Sequence, residues 1–236
     1  MSFPGFRPAA VTFFRDLAAN NTRPWFEAHR DVYEREVKTP MAILVEEVDA
    51  RLGDAAPEFT GSPKKNIYRI HRDVRFSKDK APYKLNAACW WGHRDAARRK
   101  EEAHPGAGLY FELNATGPYA AGGTWMPPRP TLAVIRRAIV ADPDAFEALM
   151  AAPAFRRTWK ALDEEGMLTR LPRGFAAGHP AEAWLRYQSF TATAMLTRKE
   201  ATSRELPDLL MERFVSLFPF VRWLNRVQGL APATRR

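Results

Sequence analysis

The segment from Lys64 to Lys84, KKNIYRIHRDVRFSKDKAPYK, holds the densest set of side chains able to act on a ligand. Lys64, Lys65, Arg69, Arg72, Arg75, Lys78, Lys80 and Lys84 stand there against Asp73 and Asp79, so the segment carries +6 of the chain's net +9. The chain has 27 Arg and 9 Lys, yet five of the lysines fall in these 21 residues. Guanidinium forks and compact ammonium groups both suit phosphate and carboxylate oxygens. Two cations ~6 Å apart repel by about 3 kcal/mol at an effective dielectric near 20. Such a face therefore meets open water, carboxylates from elsewhere, or an anion.

Three uses follow. The first is a pocket for a phosphate-like or carboxylate anion, with charge from Arg69, Arg72, Arg75, Lys80 and Lys84 and backbone donors from Gly122 and Gly123 acting as a nest. The second is a nucleic-acid surface on which Trp90, Trp91 or Tyr83 stacks on bases. The third is a non-enzymatic interaction protein in which the segment is an internal ion-pair network. Asp73 and Asp79, surrounded by cations, stay ionised and serve as counterions or structural groups rather than proton donors.

Other chemistries find little support. There is no Walker-type phosphate loop, dinucleotide glycine fingerprint, paired-histidine zinc signature or nucleophile elbow. His71, His93, His104 and His179 lack metal-ligand spacing, and Cys89 is the single cysteine, so neither a disulfide within the chain nor a cysteine metal cluster forms. No metal and no cofactor are expected. No base or nucleophile stands out, which leaves open whether the protein is an enzyme. No apolar run approaches the roughly 20 residues that span a bilayer, and the start, MSFPGFRPAAVTFF, lacks a secretory pattern. A soluble cytoplasmic protein without a membrane partner is the expectation. A pI near 9.9 permits polyanion binding.

The elements that must position these groups read as follows. Val11, Phe14 and Leu17 mark a first helix over 8–19. Thr22 caps a second with Pro24 in its first turn, and Thr39-Pro40 restarts a third carrying Met41, Leu44, Val45, Val48 and Leu52. In the basic segment Tyr68, Ile70, Val74 and Phe76 share one parity, and Arg69, His71, Asp73 and Arg75 the other, which predicts a strand with a bulge or end near Arg72. Further strands are predicted over 85–91, 109–115, 119–125 and 189–196. Gly122-Gly123 marks a bulge or a close backbone approach. Residues 92–108 read as an exposed polar loop. Helices with Leu132, Ile135 and Ile139, then Phe146 and Met150, follow, with a short one over 181–187. Two helices close the chain, one through Leu206–Leu217 and one after Pro219. With no repeat or linker, the expectation is one α+β domain over residues 1–236: a largely antiparallel sheet of about five strands covered by helices, three at the N-terminus and two at the C-terminus.

Tyr68 to Lys84, YRIHRDVRFSKDKAPYK, also resembles a family signature. Arg69, Arg72, Asp73, Arg75, Phe76, Ser77, Asp79, Lys80, Pro82, Tyr83 and Lys84 fill its fixed positions. The likeness extends to Phe13-Phe14, Asn20-Asn21 and Trp25-Phe26, to Gly122 through Pro127, and to Phe218-Pro219 and Leu224-Asn225. On these residues the chain is similar to the conserved-hypothetical family catalogued as domain of unknown function 2461. The resemblance implies no activity and no cofactor.

Overall fold

The computed structural model describes residues 2–96, 106–175 and 177–233. Its N-terminal part is helical: α1 (Pro8–Ala19), α2 (Arg23–Ala28), the single turn α3 (Arg30–Val32), a π-helical turn over Tyr33–Lys38, and α4 (Thr39–Ala55). Thr22 caps α2, its hydroxyl accepting from Trp25 N–H at 3.4 Å. Thr39 is not a cap. Its backbone is helical, and the π turn carries the chain into α4 without a break. Met41, Leu44, Val45, Val48 and Leu52 of α4 are fully buried, as their 3–4 spacing requires.

The sheet is a five-stranded antiparallel meander in the order β1 (Phe59–Thr60), β2 (Asn86–His93), β3 (Gly108–Asn114), β4 (Tyr119–Thr124) and β5 (Phe190–Met195). This is the expected α+β class. Most of the polar loop expected over 92–108 lies outside the described residues.

The strand predicted over residues 68–76 does not form. After β1 the chain makes a one-turn helix, α5 (Pro63–Asn66), and meets β2 again only where Ile67 bridges Cys89 and Tyr68 N–H donates to Ala88 O at 2.9 Å. It then leaves the sheet as a hairpin, in which His71 bridges Tyr83 and Arg72 N–H donates to Pro82 O at 2.9 Å. The alternation is real in sequence, but a strand also needs a partner for its backbone, and Pro82 offers the returning arm no N–H. Of the apolar parity only Ile70 is buried, while Phe76 at the tip is 95% exposed.

Past the sheet come α6 (Arg129–Ala141), α7 (Pro143–Ala151), α8 (Pro153–Thr158) and α9 (Glu182–Leu185), then α10 (Arg198–Thr202) and α11 (Leu206–Val227) after β5. The two closing helices expected on either side of Pro219 are one helix of 22 residues. Leu210, Phe214, Leu217, Val221 and Leu224 hold a continuous buried stripe through the proline, and tertiary packing overrides the lost backbone hydrogen bond. Helix α11, α4 and the segment leading into α1 cover one face of the sheet. Trp91 meets Phe214 at 5.8 Å between ring centroids, Phe59 stacks on Phe218 at 6.0 Å, and Phe6 stacks on Phe111 at 6.1 Å. The Trp91 indole N–H donates to Val45 O at 3.3 Å. No described helix is long and apolar enough to cross a membrane.

Thr197 and Glu200 cap α10 reciprocally: Thr197 N–H donates to Glu200 Oε2 at 2.7 Å and Glu200 N–H to Thr197 Oγ1 at 3.1 Å. Arg213 of α11 adds an ion pair to Glu200 at 2.8 Å. The Thr197 N–H, with smaller help from Arg213, holds the Glu200 carboxyl below its ordinary 4.5. A carboxyl depressed in the folded state contributes stability above its unfolded value and loses it as pH falls through the folded one. Thr197→Ala is expected to cost about 1 kcal/mol at neutral pH. Glu200→Gln is expected to flatten the acid side of the stability curve below pH 4.5, which urea melts across that range would measure.

Candidate functional site

Strand parity decides what faces the helices. Ala87, Cys89 and Trp91 of β2, Leu109, Phe111 and Leu113 of β3, Ala120 of β4, and Phe190, Ala192 and Ala194 of β5 are buried against the helical layer. The opposite parity, including Ala88, Trp90, Gly108, Tyr110, Ala121 and Thr193, lines a cleft of about 1040 Å³. Small residues make its floor and aromatic rings its sides. One wall is the base of the 67–85 hairpin, which contributes Tyr68 and Lys84. The other is Asp163, Glu164 and Glu165, from the segment after α8. Trp125 and Ser189 stand at the ends of β4 and β5.

The acidic wall is tied to the edge of the sheet. Asp163 N–H donates to Thr191 O at 2.8 Å, and the hydroxyls of Thr191 and Thr193 donate to Asp163 Oδ2 at 2.8 and 2.9 Å. This pairing also occupies one backbone carbonyl of edge strand β5.

Glu112 of β3 is 7% exposed. Its Oε2 accepts from the Tyr110 hydroxyl at 2.7 Å and the Tyr119 hydroxyl at 3.0 Å, and its Oε1 accepts from Asn114 Nδ2 at 2.9 Å. Burial first, then the Glu112 charge, pushes the Tyr119 hydroxyl up to about 12 and that of Tyr110 upward too. Both phenols therefore stay protonated and donate. The rings form a chain, with Tyr68 6.1 Å from Tyr110 and Tyr110 5.8 Å from Tyr119. Lys84 Nζ lies 5.2 Å from the Tyr68 ring centroid, in cation–π range. Burial and repulsion from Arg69 lower its pKa, while Glu112 acts in the opposite sense.

The sequence-predicted basic residues are divided by this geometry. Lys84, Gly122 and Gly123 line the cleft; Arg69, Arg72, Arg75 and Lys80 do not. Arg72 pairs with Asp79 at 2.5 Å and also donates to Ala81 O, while Arg75 holds Asp73 through two bonds of 2.7 and 3.0 Å. Lys80 donates to Val74 O at 3.0 Å, and Arg69 is exposed. Asp73 is held below the usual carboxylate range chiefly by the Arg75 side chain, and Asp79 by Ala81 N–H and then Arg72. Of the hairpin's cations, Arg72 and Arg75 are thus matched by its own two carboxylates, in pairs that lie at the surface. Exposed pairs of this kind add little to stability.

Gly122 and Gly123 are not a nest. Both pair with β3 on one side and β5 on the other, and successive N–H groups of a strand point to opposite neighbours. Close approach explains them. A Cβ on Gly122 would lie 2.5 Å from Leu217 Cδ2, and one on Gly123 (φ +124°) would lie 2.0 Å from Phe190 O. The stacking residues divide as well: Trp91 and Tyr83 are buried, Tyr83 stacked on Phe26 at 4.1 Å, and only Trp90 reaches the cleft.

The acidic wall, Tyr119 and Trp125 were not singled out from sequence as ligand-facing. A signal existed for β3, where Tyr110, Glu112 and Asn114 share the polar parity. None existed for Asp163-Glu164-Glu165, which reads as any solvated acidic run. Among the described residues no group of three or more His, Cys, Asp or Glu side chains gathers as a metal site.

No curated protein and no solved structure matches the chain. A family model described as "Conserved hypothetical protein (DUF2461)" matches residues 9–223. That match contains the whole 68–84 signature, all five strands and most of α11, and the chain belongs to this family.

Proposed function

We propose that this protein binds a small organic cation in the cleft over the uncovered face of its sheet. The observation that carries the proposal is a reversal of charge. The chain has 36 basic against 27 acidic residues, yet among the described residues the cleft walls set Asp163, Glu164 and Glu165 against Lys84 alone, with Glu112 beside the floor on the same face of β3 as Tyr110. Aromatic rings beside carboxylates attract positive charge in two ways, through the ring quadrupole and through the Coulomb field. The anion-pocket alternative keeps Lys84 as its support within the cleft, and the carboxylates oppose it. The nucleic-acid alternative is left with the exposed hairpin tip around Phe76 and Lys78.

Thermal unfolding at low salt separates the three. Spermidine, arginine and choline are to be compared with phosphate, sulfate and a mixed single-stranded oligonucleotide. At least one cation is expected to raise Tm by several degrees, since saturation at 100 Kd adds about 2.7 kcal/mol. Asp163→Asn keeps an acceptor for Thr191 and Thr193 but removes the charge, and should weaken that cation about tenfold, ~1.4 kcal/mol. Lys84→Met should strengthen it by a similar factor. A Tm rise with phosphate and with no cation would overturn the proposal in favour of the anion pocket.

A further inference from the structure

The cleft's inner carboxylates have already committed much of their lone-pair capacity. Glu112 accepts three hydrogen bonds, from Tyr110, Tyr119 and Asn114, and Asp163 Oδ2 accepts two, from Thr191 and Thr193. Their negative charge still acts across the cleft, but most of the acceptor capacity of Glu112 and half that of Asp163 is used, while Glu164 and Glu165 are exposed to solvent. A primary ammonium or a guanidinium brings three to five N–H donors that each need an acceptor once water is displaced. An N-alkylated ammonium brings charge without that demand and presents methyl groups to aromatic faces.

A ring stands ready for such a group. Trp125 is 72% exposed at the end of β4, lining the cleft. The next residue, Met126, has φ +42° although it is not glycine, and Pro127 follows it. Its N–H donates to Ser189 Oγ at 2.9 Å, so a left-handed turn is pinned to the start of β5 and holds the indole at the mouth rather than in the core.

We infer that the ligand's cationic group is an N-alkylated, tertiary or quaternary, ammonium, and that Trp125 is the ring on which it sits. The inference rests on the cleft being a cation site, as proposed above. Trp125 selects, while Glu112 and Asp163 supply field.

The test is a calorimetric titration at low salt with ammonium, methylammonium, guanidinium, tetramethylammonium and choline, all as chlorides. Tetramethylammonium and choline are expected to bind at least tenfold tighter than the other three. Trp125→Ala should remove most of that preference and Trp125→Phe should retain it, with Tm unchanged in both because the indole is solvent-exposed. Guanidinium or methylammonium binding as tightly as tetramethylammonium overturns the inference and leaves the cation cleft standing. An alkylammonium preference that survives Trp125→Ala overturns the role of Trp125. If none of the five cations binds, the inference and the cation cleft fall together.

Discussion

Replacing Gly123 by alanine is expected to cost about 3–5 kcal/mol and to loosen β5 from the sheet. Two penalties coincide there. The residue has φ +124°, a backbone region that side chains disfavour by roughly 1–3 kcal/mol. The added methyl would also fall 2.0 Å from Phe190 O and 2.9 Å from Thr191 Cα. Both are backbone atoms of the neighbouring strand, so no rotamer change relieves the clash, and overpacking of this kind adds about 1–3 kcal/mol. In a chain of this size the loss corresponds to a Tm lower by roughly 10 °C. Gly53→Ala in α4 is the matched control. Nothing lies within 4 Å of the Cβ it would add, and alanine should stabilise the helix interior by roughly 0.5–1 kcal/mol. Urea melts of the two variants should therefore move in opposite directions, and Gly123→Ala melting with the wild type would refute the packing account of the glycine pair.

The second large effect is expected at Glu112. Glu112→Ala leaves two phenol hydroxyls and the Asn114 amide without their acceptor. An orphaned buried donor costs about 1–3 kcal/mol, and cleft water reaches some of these, so a total of about 3 kcal/mol is expected. Glu112→Gln keeps the shape and most of the bonding and should cost about 1 kcal/mol. The two variants separate structure from electrostatics. Both remove the charge beside the floor, so both should weaken a bound cation by about tenfold, while only the alanine variant melts markedly earlier. Cation affinity unchanged in Glu112→Gln would remove this carboxylate from the binding account.

The fold was largely legible because its signals are periodic. The 3–4 spacing of Met41 through Leu52 and the alternation of Leu109, Phe111 and Leu113 each specify a face, and those faces are buried. Where the sequence misled, a local signal met a non-local condition. Tyr68 through Phe76 alternate as a strand does, but no second strand lies beside most of that length, and a strand without a partner does not persist. Pro219 carries the local signature of a helix end, yet the apolar stripe from Leu210 to Leu224 outweighs one missing hydrogen bond. The site was less legible for a related reason. Charge density along the chain directed attention to the hairpin, whereas the cleft joins Tyr68 and Lys84 to residues 163–165 and 189–193, nearly a hundred positions away. Which distant segments share a cavity depends on the meander and on the tie between Asp163 and β5, and neither leaves a periodic trace.

The floor and the walls of the cleft have different obligations. Floor residues alternate along the same strands with core residues, so an insertion there would turn the hydrophobic face outward. The walls belong to segments outside the ladder, the 67–85 hairpin and the 163–165 run, whose exposed side chains carry little of the core. Across a lineage, therefore, preference for one guest over another is free to drift in the 163–165 wall, while the floor, the layer of packed rings beneath it and Lys84, a fixed position of the family signature, stay as they are. Members of the family with the same architecture need not share a ligand.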